Sequence, residues 1–148
     1  MLITPHSLTG ATIAILVPNP VIAIPLSISS HFVLDIIPHW QETLYPYVPT
    51  KTTWVRILVD LLLSFFLVSW IIQSHPNISS LIWLTAFTAN IPDLDSVASV
   101  IPSISKIKLF KKYYDWHNEI QKETSSLIGL IPQITVSALC LLVGKLNL

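Results

Sequence analysis

Two histidines and an aspartate recur at every fourth position in one apolar segment of the chain. They are His31, Asp35 and His39. On an α-helix, residues four positions apart differ by only about 40° in direction, so these side chains would share one face. Imidazole and carboxylate groups together suit zinc, manganese or iron. The spacing therefore predicts metal ligands, with Pro38 ending the helix and letting His39 turn toward the ion.

Histidines and aspartates from other parts of the chain could join these three. The further candidates are His6, Asp60, Asp93, Asp95 and His117. Carboxylates inside apolar segments are costly, and two that converge without a cation repel each other or take up protons. A divalent ion removes that conflict. With three or more protein ligands and one open position, it would lower the pKa of a bound water toward neutrality.

The resulting hypothesis gives each residue a role. The metal ligands are His6, His31, Asp35, His39, Asp93 and Asp95. Asp60 and His117 are the catalytic candidates: Asp60 would complete or bridge the site, and His117 would be a ligand or a general acid and base. The cofactor is a divalent transition metal, with zinc preferred and manganese or iron as alternatives.

The histidines also have explanations that involve no ligand. His6 would then lie at an exposed helix start, and His117 would be solvated within a charged stretch. The polar residues of the His31 segment would be solvated groups at an interfacial helix end.

The aspartates have structural alternatives as well. Asp60 could pair with Arg56, which lies four residues earlier on the same predicted helix. Asp93 and Asp95 could be ordinary turn and cap residues after Pro92.

Composition indicates that lipid is the solvent around this chain. Its 148 residues are 52% hydrophobic and 11% charged, with a mean hydropathy of +0.67. Eight basic residues balance eight acidic ones, which excludes a basic groove and makes nucleic acid an unexpected partner. Membrane lipids are the expected partners. The N-terminus lacks the cationic region of a secretory signal, so we expect it to remain in the mature protein.

Apolar runs and prolines predict an all-α fold in one integral membrane domain, residues 1–148, with about five transmembrane or membrane-embedded helices. These helices cover residues 5–17, 21–37, 54–73, 78–90 and 126–145, and an interfacial helix covers 107–120. Three of the five are short for a bilayer that needs roughly 20 apolar residues. Thr4, Asn77 and either Thr124 or Ser125 are the expected N-caps. Aromatic residues mark the interface at Trp40, Tyr45, Tyr47 and Trp54.

Five crossings would sort the charges onto two sides of the membrane. The side that holds the N-terminus receives Lys51, Arg56, Lys106, Lys108, Lys111, Lys112 and Lys122. The opposite side receives Lys145 alone. The positive-inside rule therefore predicts a cytoplasmic N-terminus in the cell (inner) membrane, and it gathers all the candidate site residues near that face.

Three motifs resemble those of a known family. They are His6-Ser7-Leu8, residues 30–39 (SHFVLDIIPH) and Asp93-Leu94-Asp95. They are similar to motifs of the YdjM-like family of membrane-bound metal-dependent hydrolases, known as LexA-regulated in some bacteria. By layout the likeness covers nearly the whole chain. It implies an integral inner-membrane hydrolase with metal positions at His6, His31, Asp35, Asp93 and Asp95, and with His117 as a looser match.

One position departs from the family pattern. Members often carry a histidine directly after the Asp-x-Asp pair, whereas this chain has Ser96, and His39 or His117 could take that place. The spacing from His31 to His39 is also similar to a helix of zinc-dependent phospholipase C, which implies phosphoester chemistry.

Two functions from different classes follow. The leading hypothesis is a membrane-embedded metal-dependent hydrolase at the cytoplasmic face, with a lipid or phosphoester substrate. The alternative is a non-catalytic membrane protein that binds or transports a metal ion or a proton, for which intramembrane carboxylates are equally suited. A polar route toward the opposite face would favour the alternative.

Overall fold

Eight α-helices occur in the part of the chain that the computed structural model describes, residues 1–41 and 49–146. They are α1 (Ile3–Leu16), α2 (Pro20–Asp35), α3 (Lys51–Ile72), α4 (Ser79–Thr88), α5 (Leu94–Ser99), α6 (Pro102–Ser105), α7 (Lys108–Ile120) and α8 (Ser126–Lys145), with a 3₁₀ turn at Pro76–Ile78. These residues contain no strand, only an isolated bridge between His39 and Glu123. The all-α prediction is confirmed. Tyr45 and Tyr47 lie outside the described residues.

Proline and small polar residues set the helix boundaries close to where the sequence places them. Pro20 begins α2, and the Asn19 side chain accepts a hydrogen bond from the Val21 amide at its N-terminus. A capping box between Thr50 and Thr53 begins α3. Such caps satisfy amides that have no partner within the helix.

Two of the three expected N-cap positions are wrong, and the third is occupied without a side-chain hydrogen bond. Leu2, and not Thr4, is the N-cap of α1, because Asp60 from α3 accepts hydrogen bonds from that helix start. Asn77 belongs to the 3₁₀ turn, so α4 begins without a side-chain cap. Ser125 does occupy the N-cap position of α8, although its side chain makes no cap hydrogen bond.

Helix α1 is central and contacts α2, α3, α4 and α8. Its closest approach is at Gly10, where an added Cβ would lie 2.3 Å from the backbone oxygen of Thr85 in α4. Small residues thus allow the two backbones to meet, as in packed membrane helices. The apolar core beside this contact consists of Leu8, Ala11, Ala14, Ile15, Val68, Ile71, Ile82, Ala86 and Cys140.

Polar segments join at the two opposite ends of the helices. At one end, the His39 amide donates to the Lys122 carbonyl (2.9 Å), and the Lys122 amide donates to the Asp35 carbonyl (3.1 Å). At the other end, His75 Nε2 lies 2.9 Å from the Gly144 carbonyl oxygen. The segments that the charge pattern assigns to one side of a membrane therefore lie together.

Two of the described helices, α3 and α8, are long and apolar enough to cross a membrane. Large apolar side chains are exposed along both, including Phe66 (64% exposed) and Leu127 (83% exposed). Apolar surfaces of this extent are covered by lipid or by another protein in the native environment.

Candidate metal centre

Four side chains from three segments of the chain converge at the end of the helix bundle where His39 contacts Lys122. They are His31, Asp35, Asp93 and His117, here called the His/Asp cluster. One ligand atom from each lies within 4.8 Å of every other. Helix α2 supplies the first two from adjacent turns, the segment before α5 supplies Asp93, and α7 supplies His117. The structure thus brings together residues that span most of the chain.

Four of the six distances between ligand atoms in the cluster are close to the edges of a tetrahedral metal site. His31 Nε2 lies 3.1 Å from Asp35 Oδ2 and 3.4 Å from Asp93 Oδ1. His117 Nε2 lies 3.3 Å from Asp35 Oδ2 and 3.3 Å from His31 Nε2. Zinc bonds of about 2.0–2.2 Å place neighbouring tetrahedral ligands about 3.3–3.6 Å apart. The cluster could therefore hold a divalent ion with little rearrangement.

A backbone carbonyl fixes the orientation of the His31 ring. Its Nδ1–H donates to the Ala89 oxygen at 2.7 Å, which leaves Nε2 facing Asp35. This bond selects the tautomer whose Nε2 lone pair is available to a metal. Sequence patterns could not reveal this contact, because its acceptor belongs to the main chain at the end of α4.

Asp95 fixes the orientation of the His117 ring in the same way. The Nδ1–H of His117 donates to Asp95 Oδ2 at 2.7 Å, and Nε2 again faces Asp35. A carboxylate bonded to the far nitrogen is the usual support of a metal-binding histidine. Asp95 was expected to be a ligand on unwound backbone. It lies instead in the first turn of α5, where it holds His117.

Asp93 lies at the open side of the cluster. Its side chain is 20% exposed, whereas those of His31 and Asp35 are fully buried. Among the described residues, Asp93 Oδ1 has no hydrogen-bond partner. A buried carboxylate oxygen without a donor is costly unless a cation or water meets it.

The electrostatics of the cluster favour a positive charge at its centre. Burial opposes a charged imidazole at His117, but hydrogen bonds to Asp35 and Asp95 outweigh burial and raise the pKa of His117 to about 9. Burial likewise opposes ionisation of Asp93, yet the neighbouring His31 imidazole lowers the pKa of that carboxyl. Without a metal, protons supply the cation that these carboxylates require.

His6 lies beside the cluster, not within it. Its Nε2 is 3.3 Å from Asp35 Oδ1, the carboxylate oxygen that faces away from the other imidazoles, and its ring stacks on His31 with centroids 4.0 Å apart. The α-amine of Met1 contacts the same oxygen. Both ring nitrogens of His6 are buried without a hydrogen-bond partner in the described residues.

The structure does not bring His39 into the cluster. Helix α2 ends at Asp35, and residue 39 instead pairs with the chain around Glu123. The two ring nitrogens of His39 face the Ile37 carbonyl (2.8 Å) and Gln41 Oε1 (3.2 Å). The sequence predicted that the helix would end before His39 and that this ring would turn toward the ion, but the ring turns to the Ile37 carbonyl and to Gln41 and does not join the cluster.

Asp60 also lies outside the cluster, at the start of α1. Its Oδ2 accepts from the Ile3 amide at 2.6 Å, and its Oδ1 accepts from the Thr4 hydroxyl at 2.6 Å. A carboxylate at a helix N-terminus is stabilised by the free amides and by the helix dipole. Asp60 is therefore a cap supplied by another helix, and its contacts do not place it at the reacting centre.

Comparison with protein-family models, curated proteins and solved structures gives no match to this chain.

Proposed function

We propose that this protein is a membrane-embedded, metal-dependent hydrolase whose site is the His/Asp cluster. The observation that supports this most strongly is the pair of imidazoles. His31 and His117 are each anchored through Nδ1 and direct Nε2 at Asp35. Two lone pairs and a carboxylate oxygen facing one point need a cation between them.

His31, Asp35 and His117 are the three fixed ligands in this proposal, with zinc as the preferred ion. Three protein ligands are typical of catalytic zinc sites, which keep a fourth position for water or substrate. A divalent ion held by these residues would polarise the oxygen of an ester and lower the pKa of a bound water toward neutrality. His6 orients the Asp35 carboxylate from its other oxygen.

Asp93 is the general base of the proposed reaction. It lies on the open side of the cluster, and its Oδ1 is free of hydrogen bonds from the described residues. A carboxylate at the open side of the site would be placed to accept a proton from the attacking water. His117, also considered a general acid and base, is assigned to the metal because both ring nitrogens are engaged.

The membrane placement is part of the proposal. Helices α3 and α8 are the strongest candidate spans. Helices α1, α2 and α4 pack beside them and complete a five-helix membrane domain. The basic residues of α7 lie at the same end as the cluster, which favours a cytoplasmic site and N-terminus in the inner membrane. The resemblance to the YdjM-like family is in accord with this arrangement.

Hydrolysis is favoured over ion transport by the polarity of the helix bundle. A transport route would have to continue from the cluster toward the end that holds His75 and Gly144. The residues packed around α1 in that direction form the apolar core, with Leu8, Ile71 and Ile82 fully buried. Ion flux into proteoliposomes that depends on Asp35 would favour the transport function instead.

The test is ester hydrolysis by purified protein loaded with zinc. A panel of phosphoesters and carboxylic esters in detergent micelles is offered to wild type, to chelator-treated protein and to Asp35→Asn. We expect turnover of at least one ester class that chelation and Asp35→Asn both abolish. The matched control is Asp115→Asn, which removes a surface carboxylate on α7. Zinc-loaded wild type with no turnover of any ester would refute the enzymatic function.

A further inference from the structure

An apolar groove leads from the His/Asp cluster into the layer occupied by α3. Its volume is about 420 Å³, within the range of about 300–1,000 Å³ usual for small-molecule sites. Helices α3 and α4 form its walls, and the start of α1 forms its floor. Asp93 lines it at one end, so the groove is continuous with the proposed site.

The groove has one polar and one apolar end. Arg56, Gln41, Asp60 and Asp93 line the polar end beside the cluster. Farther along the helices the lining is apolar, and the rings of Phe65 and Trp83 stack there with centroids 5.2 Å apart. An occupant that fits both ends has a polar head and a hydrocarbon tail.

The length of the groove corresponds to one leaflet of a bilayer. Its α3 wall extends from Arg56 to Val68, which at 1.5 Å per residue is about 18 Å. Half of a hydrocarbon core of about 30 Å is about 15 Å. A lipid that enters between α3 and α4 could keep its head at the membrane surface while one chain lies along the groove.

Basic residues near the cluster favour an anionic head. Arg56 lines the polar end, and guanidinium groups bind phosphate oxygens in two-point contacts. Lys108, Lys111 and Lys112 lie together on α7, the helix that carries His117, and Lys111 pairs there with Asp115. Basic groups at a membrane surface attract anionic lipids.

We propose that the substrate is a membrane lipid phosphoester, with one hydrocarbon chain in the groove and its phosphate at the His/Asp cluster. This inference rests on the proposed hydrolase function. Water adds to phosphorus, and the P–O bond to the departing alcohol breaks. Asp93 accepts the proton of the water, and the alcohol oxygen gains a proton. The products are a phosphate and an alcohol, and no oxidant or reductant is consumed.

Two alkyl phosphates with the same phosphoester bond test the groove. Zinc-loaded protein in detergent micelles is given hexadecyl phosphate or ethyl phosphate, and a parallel pair carries an added methyl ester to cover diesters. Released alcohol is measured by mass spectrometry. We expect kcat/KM for the hexadecyl compounds to exceed that for the ethyl compounds at least 100-fold. Equal values would overturn the proposal, as would faster cleavage of a hexadecyl carboxylic ester.

A groove-filling variant supplies the structural control. Leu61 lines the groove, whereas its neighbour Leu62, which is exposed to a similar extent, lies outside the lining. Leu61→Trp should lower hexadecyl phosphate turnover at least 10-fold, while turnover of the ethyl compound and the zinc content stay unchanged. Leu62→Trp should alter neither. Equal effects of the two substitutions would contradict a chain in the groove.

Binding separates this inference from the proposed function. Tritiated hexadecyl phosphate should bind saturably to wild type and to Leu62→Trp, and Leu61→Trp should weaken that binding at least 10-fold. If binding follows this pattern but no ester is cleaved, the lipid site stands and the hydrolase function fails. If the three proteins bind the compound equally or not at all, the lipid site is refuted.

Discussion

His31 and His117 direct their Nε2 atoms at each other across 3.3 Å, although 86 residues separate them in the chain. The Nδ1 atom of each ring makes a hydrogen bond on the opposite side, that of His31 to the Ala89 carbonyl and that of His117 to Asp95. Two imidazoles fixed in this way cannot turn to avoid each other, so the space between them must contain a proton or a metal ion.

Asp95 should act on metal affinity through His117. Asp95→Asn removes the negative charge behind the Nδ1–H of His117 and leaves the neighbouring ligands in place. Loss of such a support typically lowers metal affinity about 10–100-fold. Competition with a fluorescent zinc chelator measures the change, with Asp115→Asn as the control on the surface of α7. Unchanged affinity in Asp95→Asn would show that the carboxylate does not support a ligand.

Substitution of Asp35 should remove the bound metal, whereas substitution of Asp93 should remove catalytic turnover and leave the metal bound. Asp35→Asn should release the metal, because this carboxylate faces both fixed imidazoles. Asp93→Asn should retain the metal and lower turnover about 10²–10⁴-fold, the usual contribution of a general base. Metal content and kcat measured on the same preparations distinguish the two. If Asp93→Asn loses the metal as completely as Asp35→Asn, the site has four protein ligands and no position open for water.

Metal affinity should rise with pH. The pKa of His117 is raised to about 9 in the metal-free protein, so this imidazole carries a proton at neutral pH. The proton competes with the metal and becomes scarcer as pH increases. Affinity should therefore increase up to about tenfold per pH unit for each proton displaced, and should level off above about pH 9. Chelator competition between pH 6.5 and pH 9.5 measures this slope. A flat profile would mean that binding displaces no proton from the cluster.

Asp60 should affect stability and not metal binding. It caps α1 through the Ile3 amide and the Thr4 hydroxyl. Asp60→Asn weakens these charge-assisted bonds and should cost about 1–2 kcal/mol, the usual value of a helix cap. Thermal unfolding in detergent and metal analysis of the same sample test this, with Asp115→Asn as the matched change of charge. If Asp60→Asn loses the metal while its stability is unchanged, Asp60 belongs to the metal site and is not merely a helix cap.

Six of the eight described helices were predictable because prolines and apolar runs define them locally, whereas the short helices α5 and α6 were not predicted. The predicted helix over residues 126–145 coincides with α8, and the predicted helix over 107–120 coincides with α7 to one residue. Local sequence also identified the His31 and Asp35 pair, since one turn of α2 suffices to align them. Whether helices α1, α2 and α4 cross a bilayer stays a prediction.

Residue roles that depend on contacts between helices were harder to predict. His39 was assigned by continuing the spacing of α2, but the chain leaves the helix after Asp35 and pairs near Glu123. Asp60 caps a helix that begins 57 residues earlier in the chain. Asp95 was predicted to belong to the site, but its hydrogen bond to Nδ1 of His117 depends on the packing of α5 against α7.

The most direct test is X-ray absorption of zinc bound to the purified protein, combined with metal counting. We predict one zinc per chain with two imidazole nitrogens and the remaining ligands oxygen, at about 2.0–2.2 Å, and no sulfur. Asp35→Ala should remove this zinc, and Asp115→Asn should keep it. Less than one ion per chain in wild type, or an ion that persists unchanged in Asp35→Ala, would contradict the metal centre.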